Sequence, residues 1–334
     1  MNEKKAVSMQ DIADELGVSK VTVSKALNGK EGVGEELKRR ILETADRYGY
    51  VLPDYGKRRT RKIAIVMSER FHVGDEGRFY MDMYQCIVKE ARRYSYTSIM
   101  ITPDKKTLHE DMKTLSKPET FDVLLFLGIL DSQIKKSLEQ IPIPKVYVDV
   151  YDETHRSDSV VTENLYSTYE ITEYLMEQGH REIGFVGTVG STTSITDRYL
   201  GYVRKLLEQG IRPQEEWLIP DRDENGNAIP LQLPKELPTA FVCNCDETAF
   251  ELVKTLKEAG VRVPDDISVV GFDNAIYAKL CEPPLTTVAV DIDKIGKTTV
   301  RCIRKYIEQP DRKGGEVYRV PGKLICRNSV KELV

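Results

Sequence analysis

Two groups of side chains in this sequence have the types and spacing to do chemistry. The first lies in GVSKVTVSKALN, residues 17–28. Lys20 and Lys25 can donate to guanine O6 and N7, and Val21 between them can meet a thymine methyl. Ser19, Thr22, Ser24 and Asn28 are short polar groups suited to phosphate oxygens, contacts that position a protein on a duplex without reading its sequence. Ser8 and Gln10, at what would be the positive end of a preceding helix, suit another phosphate. The second group is Arg198, Asp149 and Asp273. A guanidinium can clamp adjacent hydroxyls or a carboxylate with two parallel bonds. Asp149 and Asp273 end the apolar runs KVYVD and ISVVGFD, the strand edge at which open α/β sheets collect ligands. Phe79, Tyr80 and Phe272 could supply platforms for the apolar face of a sugar, although core packing is the commoner fate of such rings. Arg198 could equally be a surface ion pair, and either aspartate a cap.

The elements that must hold the first group follow from periodicity. Met9, Ile12, Ala13 and Leu16 fall at i, i+3, i+4 and i+7, one face of a helix. Ser8 is its N-cap, Asp11 stands where a capping box needs an acid, and Gly17 is the left-handed stop. GVSKVTVSKALN alternates like a strand, yet Ser19 can cap a second helix, Val18 and Val23 can staple it, and Asn28-Gly29 can end it. Val23, Ala26 and Leu27 then form its apolar face, and Lys20, Val21 and Lys25 its exposed one. A third stripe, Leu37, Ile41, Ala45 and Tyr48, ends at Gly49. Two short helices joined at a glycine make a helix-turn-helix, whose second helix enters a major groove. The bland alternative is a solvated helical face beside an unrelated core.

From residue 62 on, KIAIVM, TSIMIT, DVLLFL, KVYVDV, EIGFVG, TAFVCN, ISVVGF and TTVAV alternate with helix-length segments. Apolar runs buried on both faces and separated by helices indicate parallel sheets. They group into two units, about 62–160 and 161–290, with later segments contributing to both. A two-lobed body of this kind binds small ligands in its cleft. The expected fold class is therefore α/β: a three-helix head on a two-lobed body.

Composition narrows the class further. The chain has 334 residues, 40% hydrophobic and 31% charged, with a formal charge of −4. Residues 1–62 carry fourteen Lys and Arg against ten Asp and Glu, and the remainder thirty-five against forty-three. A basic head on an acidic body implies that only the head meets a polyanion. No apolar run reaches the ~20 residues needed to span a bilayer, and the N-terminus lacks a secretory apolar core. Six cysteines without a framework read as reduced thiols of a cytoplasmic protein. GFVGTVG (184–190) is not a dinucleotide fingerprint, Cys243-x-Cys245 lacks a second close pair, and the four histidines are scattered. No nucleophile elbow, HExxH or paired-acid pattern is present. The expectation is no enzyme, no metal and no cofactor.

The stretch MQDIADELGVSKVTVSKALNG with LKRRILETADRYGYVLPD resembles the N-terminal signature of the lactose-repressor (LacI/GalR) family of transcription factors. The hallmarks V-S-x-x-T-V-S-(R/K)-x-L-N and L-G-Y-x-P are read here as Val18–Asn28 and Tyr48–Pro53, with Lys25 where the family usually has arginine. EQGHREIGFVG, TDRYLGY, the run from AFVCNCDETAF to ISVVGFDN, and EPPLTTVAVDIDKIG resemble successive motifs of the family's effector domain. That domain is similar to periplasmic sugar-binding proteins. The resemblance implies that Arg198, in its R-x-x-G-Y motif, binds ligand, that Asp273 accepts from ligand hydroxyls, and that an aromatic near Phe79 and Tyr80 lies beside it. It also implies a hinge helix with a leucine lever after Pro53. The sequence departs there: DYGKRRTRK is short, holds Gly56 and no leucine. Arg58 and Arg59, with Lys57, Arg61 and Lys62, could instead track phosphates or enter a narrow minor groove; a plain basic linker is the alternative.

The expected organisation is a helix-turn-helix DNA-binding domain at 1–52, a short basic linker at 53–62, and a two-lobed effector-binding and dimerisation domain at 63–334. It points to a cytoplasmic transcriptional repressor, a homodimer or tetramer on a near-palindromic operator, controlled by a mono- or oligosaccharide. A sugar-binding protein without regulatory function and an enzyme on an α/β scaffold are the competing classes.

Overall fold

The computed structural model describes residues 8–27, 32–48, 50, 61–69, 74–104, 106, 108–117, 120–224 and 226–333. Contacts divide the chain into two compact units, Met1–Thr60 and Arg61–Val334.

The first unit holds α1 (Met9–Leu16), α2 (Lys20–Leu27) and α3 (Glu35–Arg47). The Asp11 N–H donates to Ser8 Oγ at 3.4 Å, and the Asp11 carboxylate accepts the Ser8 N–H at 2.6 Å, a complete capping box. Gly17 ends α1 at φ 65°, in the left-handed region that glycine enters without strain. Ser19 Oγ accepts the Thr22 N–H at 3.0 Å, so the strand-like alternation of 17–28 resolves as a capped helix. Ile12, Ala13, Val23, Ala26, Ile41 and Ala45 form the buried core, with Met9, Leu16, Val18, Leu27 and Leu37 around it. Tyr48 departs from its expected place. The helix ends at Arg47, leaving Tyr48 41% exposed, and Tyr50, whose N–H donates to Ala45 C=O at 2.8 Å, folds onto the core instead.

The second unit carries two six-stranded sheets. The first contains β1 (Lys62–Met67), β2 (Thr97–Ile101), β3 (Val123–Leu127), β4 (Lys145–Val148), β5 (Asp158–Thr162) and β11 (Val317–Val320). Their order is β11-β5-β4-β3-β1-β2, and every pairing is parallel. The second contains β6 (Ile183–Val186), β7 (Leu218–Ile219), β8 (Ala240–Cys243), β9 (Ser268–Asp273), β10 (Thr286–Ala289) and β12 (Lys323–Ile325), in the order β12-β10-β9-β8-β6-β7. Here β12 runs antiparallel to β10, while the other pairings of this sheet are parallel as expected. β11 leaves the first sheet at its carboxyl edge, beside the cleft, and the two residues after it deliver the chain to the carboxyl edge of the second sheet, so β12 runs back against β10.

Strand side chains alternate between two helix layers. Ile63, Ile65 and Met67 pack with Met83 and Ile87 of α4 (Gly74–Arg92) and with Ile295 and Ile303 of α11 (Ile292–Glu308). Ala64 and Val66 face α5 (Leu108–Leu115) and α6 (Ser132–Glu139) on the other side. In the second lobe, α7 (Asn164–Glu177) and α8 (Thr193–Glu208) cover one face, and α9 (Asp246–Glu258) with α10 (Ile276–Leu280) the other. The α7–α8 approach depends on Gly201, where a Cβ would sit 2.0 Å from the Leu165 carbonyl oxygen. The chain passes between lobes after β5, after β10 and after β11, so α11 and β11 complete the first lobe and β12 the second.

Candidate ligand cleft and nucleic-acid interface

A cavity of about 180 Å³ opens between the two lobes. Phe79 and Tyr80 of α4 and Asp149 beyond β4 line it from the first lobe. The second lobe contributes Thr192, Ser194 and Arg198 around the start of α8, Asn244 and Cys245 beyond β8, and Asp273 and Asn274 at the end of β9. Strand carboxyl ends thus meet helix amino ends, the usual ligand edge of an open α/β sheet.

Arg198 is the most constrained group in it. Its side chain is buried, Nε donates to Asn164 Oδ1 at 2.9 Å, Nη1 donates to the Asn244 carbonyl, and Nη2 lies 3.2 Å from Asp273 Oδ1. The guanidinium carbon stands 3.8 Å from the centre of the Phe272 ring. One face rests on an aromatic quadrupole and three nitrogens are committed within the second lobe, so the fork is fixed before any ligand arrives.

Asp149 and Asp273 both have left-handed backbone, φ 61° and 100°, as does Asn274 at 55°. Such conformations cost of order 1–3 kcal/mol each for residues with side chains and persist where surroundings over-determine them. The surroundings are visible here. Ala275 N–H donates to Asp246 Oδ2 at 2.7 Å, and Arg327 donates to Asn274 Oδ1 at 2.6 Å. Burial pushes the Asp149 carboxyl up to about 6, opposed by the Tyr80 hydroxyl, which donates at 2.8 Å, and by the Arg198 charge. Asp246, also accepting from Thr287 Oγ1 at 2.6 Å, is pushed up to about 8 by burial and by the Asp273 charge.

Of the six candidate ligand residues, five line the cavity: Arg198, Asp273, Asp149, Phe79 and Tyr80. Phe272 does not. It is 1% exposed in the second-lobe core, because successive β9 side chains face opposite ways, and it serves as the floor beneath Arg198. Phe79 and Tyr80 meet edge to face at 5.5 Å. Sequence reasoning missed Asn164, Arg222, Asn244 and Cys245. Asn244 and Cys245 follow the run TAFVC, so the strand-edge rule that selected Asp149 and Asp273 would have found them. Arg222 lines the cavity while held by Asp221 at 2.8 Å, and nothing in its loop announces it. Burial pushes Asp221 up, but Arg222, Asn244 and the Thr188 N–H outweigh it and hold the carboxyl below the usual range. Burial pushes the Cys245 thiol up to about 12, which keeps it protonated.

On α2, Lys20, Val21 and Lys25 are exposed, Val21 by 65%, while Thr22 and Ser24 are half-buried. Residues 20, 21, 24 and 25 share one helical face, opposite buried Val23 and Ala26. Ser19, Ser8 and Gln10 are exposed at helix starts, where each already makes a local bond. Ser19 caps α2, Ser8 Oγ donates to Asp11 at 2.7 Å, and Gln10 Nε2 donates to Asp14 at 2.8 Å. Asn28, Arg58 and Arg59 lie outside the described residues. Arg61 pairs with Asp122 at 2.8 Å while its side chain stays part-exposed.

Among the described residues no group of three or more His, Cys, Asp or Glu is arranged for a metal, and no helix is long and apolar enough to cross a membrane. All six cysteines are free thiols. His180 is spanned by Thr239 Oγ1 at 3.0 Å and the Lys331 carbonyl at 3.1 Å, a structural tie.

Comparison with known proteins agrees with both units. Residues 8–52 match the family described as bacterial regulatory proteins, lacI family, and residues 172–330 match a periplasmic binding protein-like domain. Catabolite control protein A of Priestia megaterium is 26% identical over 337 residues, covering 97% of this chain and 99% of its own. The HTH-type transcriptional repressor PurR of Vibrio campbellii is 25% identical, covering 98% and 99%. Among solved structures, the transcriptional regulator CelR in complex with cellobiose superposes with a TM-score of 0.69 at 21% identity, covering 97% of this chain and 99% of that one. The lac repressor dimer bound to operator and the anti-inducer ONPF gives 0.67 at 21% identity, covering 98% and 100%. These relatives are transcription regulators and not enzymes. A lacI head joined to a binding-protein-like body, matched end to end by such regulators, places this chain in the lacI family of bacterial regulatory proteins.

Proposed function

We propose that this DNA-binding regulator is a repressor whose operator affinity is set by a sugar held in the cleft between its lobes. The observation that carries the sugar reading is Arg198. A guanidinium locked over Phe272 and shared with Asp273, with Asp149 across the cleft, presents fixed donors and acceptors of the kind that hydroxyls need. A purine would call for flat faces on either side of a ring, whereas Phe79 and Tyr80 meet at 80°. Related solved structures carry cellobiose or ribose.

In the head, Lys20, Val21 and Lys25 address base edges, and Thr22, Ser24, Ser19, Ser8, Gln10 and Asn28 address phosphates, with Arg58 and Arg59 adding salt-dependent attraction. One such helix reads only a few base pairs, so two heads are needed. A two-fold homodimer on a near-palindromic operator supplies them. Closure of the cleft would change the presentation of the heads, with couplings of about 1–3 kcal/mol, some 5- to 150-fold in operator affinity. Six free thiols fit a reducing cytoplasm.

The test pairs a thermal-shift screen of mono- and oligosaccharides against purines with fluorescence anisotropy on operator fragments. A saccharide that raises the melting temperature and shifts operator affinity is the expected result. Stabilisation by purines alone would overturn the sugar reading, and absence of DNA binding would overturn the operator reading.

A further inference from the structure

A second chamber, of about 340 Å³, adjoins the cleft, and Thr192 lines both. Its walls come from both lobes: residues 128–130 beyond β3 and 150–151 beyond β4 on one side, and the 190–193 loop ahead of α8 on the other. It therefore continues the same carboxyl edge of the sheets. At the boundary the Tyr151 hydroxyl donates to Asp197 Oδ2 at 2.8 Å, a bond from one lobe to the other.

The chemistry of the lining selects a ligand class. Lys135 lies 3.7 Å from Glu153 and 4.0 Å from Glu139, and among the described residues Lys136 is the only other cation in the lining. Two cations against two carboxylates leave the chamber neutral, so a phosphate or carboxylate gains little there. Ile129, Leu130, Val150 and the Tyr151 ring give an apolar wall, while Ser191, Thr192 and Thr193 give a row of hydroxyls. Ser191 Oγ is buried without a hydrogen-bond partner among the described residues. Apolar wall, hydroxyl row and zero net charge match a pyranose or furanose ring, which is apolar on one face and hydroxylated at its edge.

We infer that this chamber is a second subsite for a neutral glycosyl unit, and that the effector has at least two linked sugar units. One end occupies the Arg198 cleft and the other passes Thr192 into the chamber. The inference rests on the sugar reading of the cleft.

Isothermal titration of the full chain tests it, with disaccharides of hexoses and pentoses each measured beside its own monosaccharides. One disaccharide should bind about tenfold or more tightly than either component, a gain of about 1.4 kcal/mol. Ser132→Trp, at an exposed position on the chamber rim, should remove that gain and leave monosaccharide affinity unchanged. Lys136→Ala, also exposed, should reduce the gain without affecting thermal stability. Monosaccharides binding as tightly as their disaccharides, or Ser132→Trp weakening both alike, would overturn the subsite while leaving the cleft reading standing. Binding by no saccharide would overturn both.

Discussion

Asp246 is fully buried at the start of α9, where its oxygens accept from Ala275 N–H and Thr287 Oγ1. Its carboxyl is raised to about 8 in the folded chain, by burial first and the Asp273 charge second. An unfolded aspartate titrates at about 3.9. The folded state therefore binds the proton more tightly, and stability must fall as pH rises from about 4 to about 8 and level off above that. At about 1.36 kcal/mol per unit, the cost is about 4 kcal/mol at pH 7 and about 5 kcal/mol above pH 8, as orders of magnitude. Asp246→Asn removes it while keeping both contacts, because Oδ1 can still accept from Ala275 N–H and the Thr287 hydroxyl can turn to accept from Nδ2. Urea unfolding from pH 4 to 9, followed by Trp217, the one tryptophan and a second-lobe residue, measures the difference. The variant should match the wild type near pH 4 and exceed it by several kcal/mol at pH 8, gaining close to one proton's slope between. Curves that run parallel across this range would refute the reasoning, since they would mean that folding leaves the affinity of this carboxyl for its proton unchanged.

Arg198→Lys keeps the charge but loses the planar fork, so it should abolish the ligand-induced change in operator affinity while leaving ligand-free operator affinity within about twofold, read by anisotropy. Lys25→Ala should weaken operator binding by about 1–3 kcal/mol and flatten the salt dependence by about one counterion, checked by titration at three salt concentrations. Gly201→Ala drives a methyl into the Leu165 carbonyl and should lower the body's melting temperature, with a loss above about 2 kcal/mol by denaturant titration. Ser8→Ala removes one side of the α1 capping box and should cost the head about 1 kcal/mol, visible in far-ultraviolet thermal melts.

Much of this architecture could be read from periodicity. The head was legible because caps and stops flank each stripe, and eight body strands were legible because each is an apolar run set off by helix-length segments, most of them buried on both faces. β5 was not: DSVVT begins with a buried aspartate whose partners, Arg312 at 2.6 Å and the Glu316 N–H at 3.1 Å, lie far along the chain. β11 and β12 escaped for another reason, since VYRV and KLI are short and each carries a charged residue, whereas β2, also at an edge, keeps the apolar run IMI. In the cleft, Arg198, Asp149 and Asp273 stood out as charges at strand edges or helix starts. Phe272 shows the limit of that rule, because proximity in sequence to Asp273 placed it on the opposite face of the strand. Asn164 was invisible, since its contribution is to aim another side chain across 34 positions of sequence.

The division of labour around Arg198 bears on how a ligand could report its presence. Its partners Asn164, Asn244, Asp273 and Phe272 all belong to the second lobe, so the guanidinium moves with that lobe as one piece. Asp149 and its donor Tyr80 belong to the first lobe and move with it. A ligand that bonds to both sets gains its full binding free energy only when the lobes are at one particular separation. Differential affinity of this kind is the sole means by which a ligand can shift a conformational equilibrium. Direct attraction between Arg198 and Asp149 is a weaker link, because the guanidinium is already paired with Asp273 and the Tyr80 hydroxyl occupies one Asp149 oxygen at 2.8 Å. A contact that joins the lobes without a ligand is Tyr151 to Asp197, a single neutral donor on one carboxylate. A hydrogen bond to a charged group is worth roughly 1.5–3 kcal/mol. That is the same order as a typical allosteric coupling, so a ligand that rearranges it has enough leverage to move the body between states.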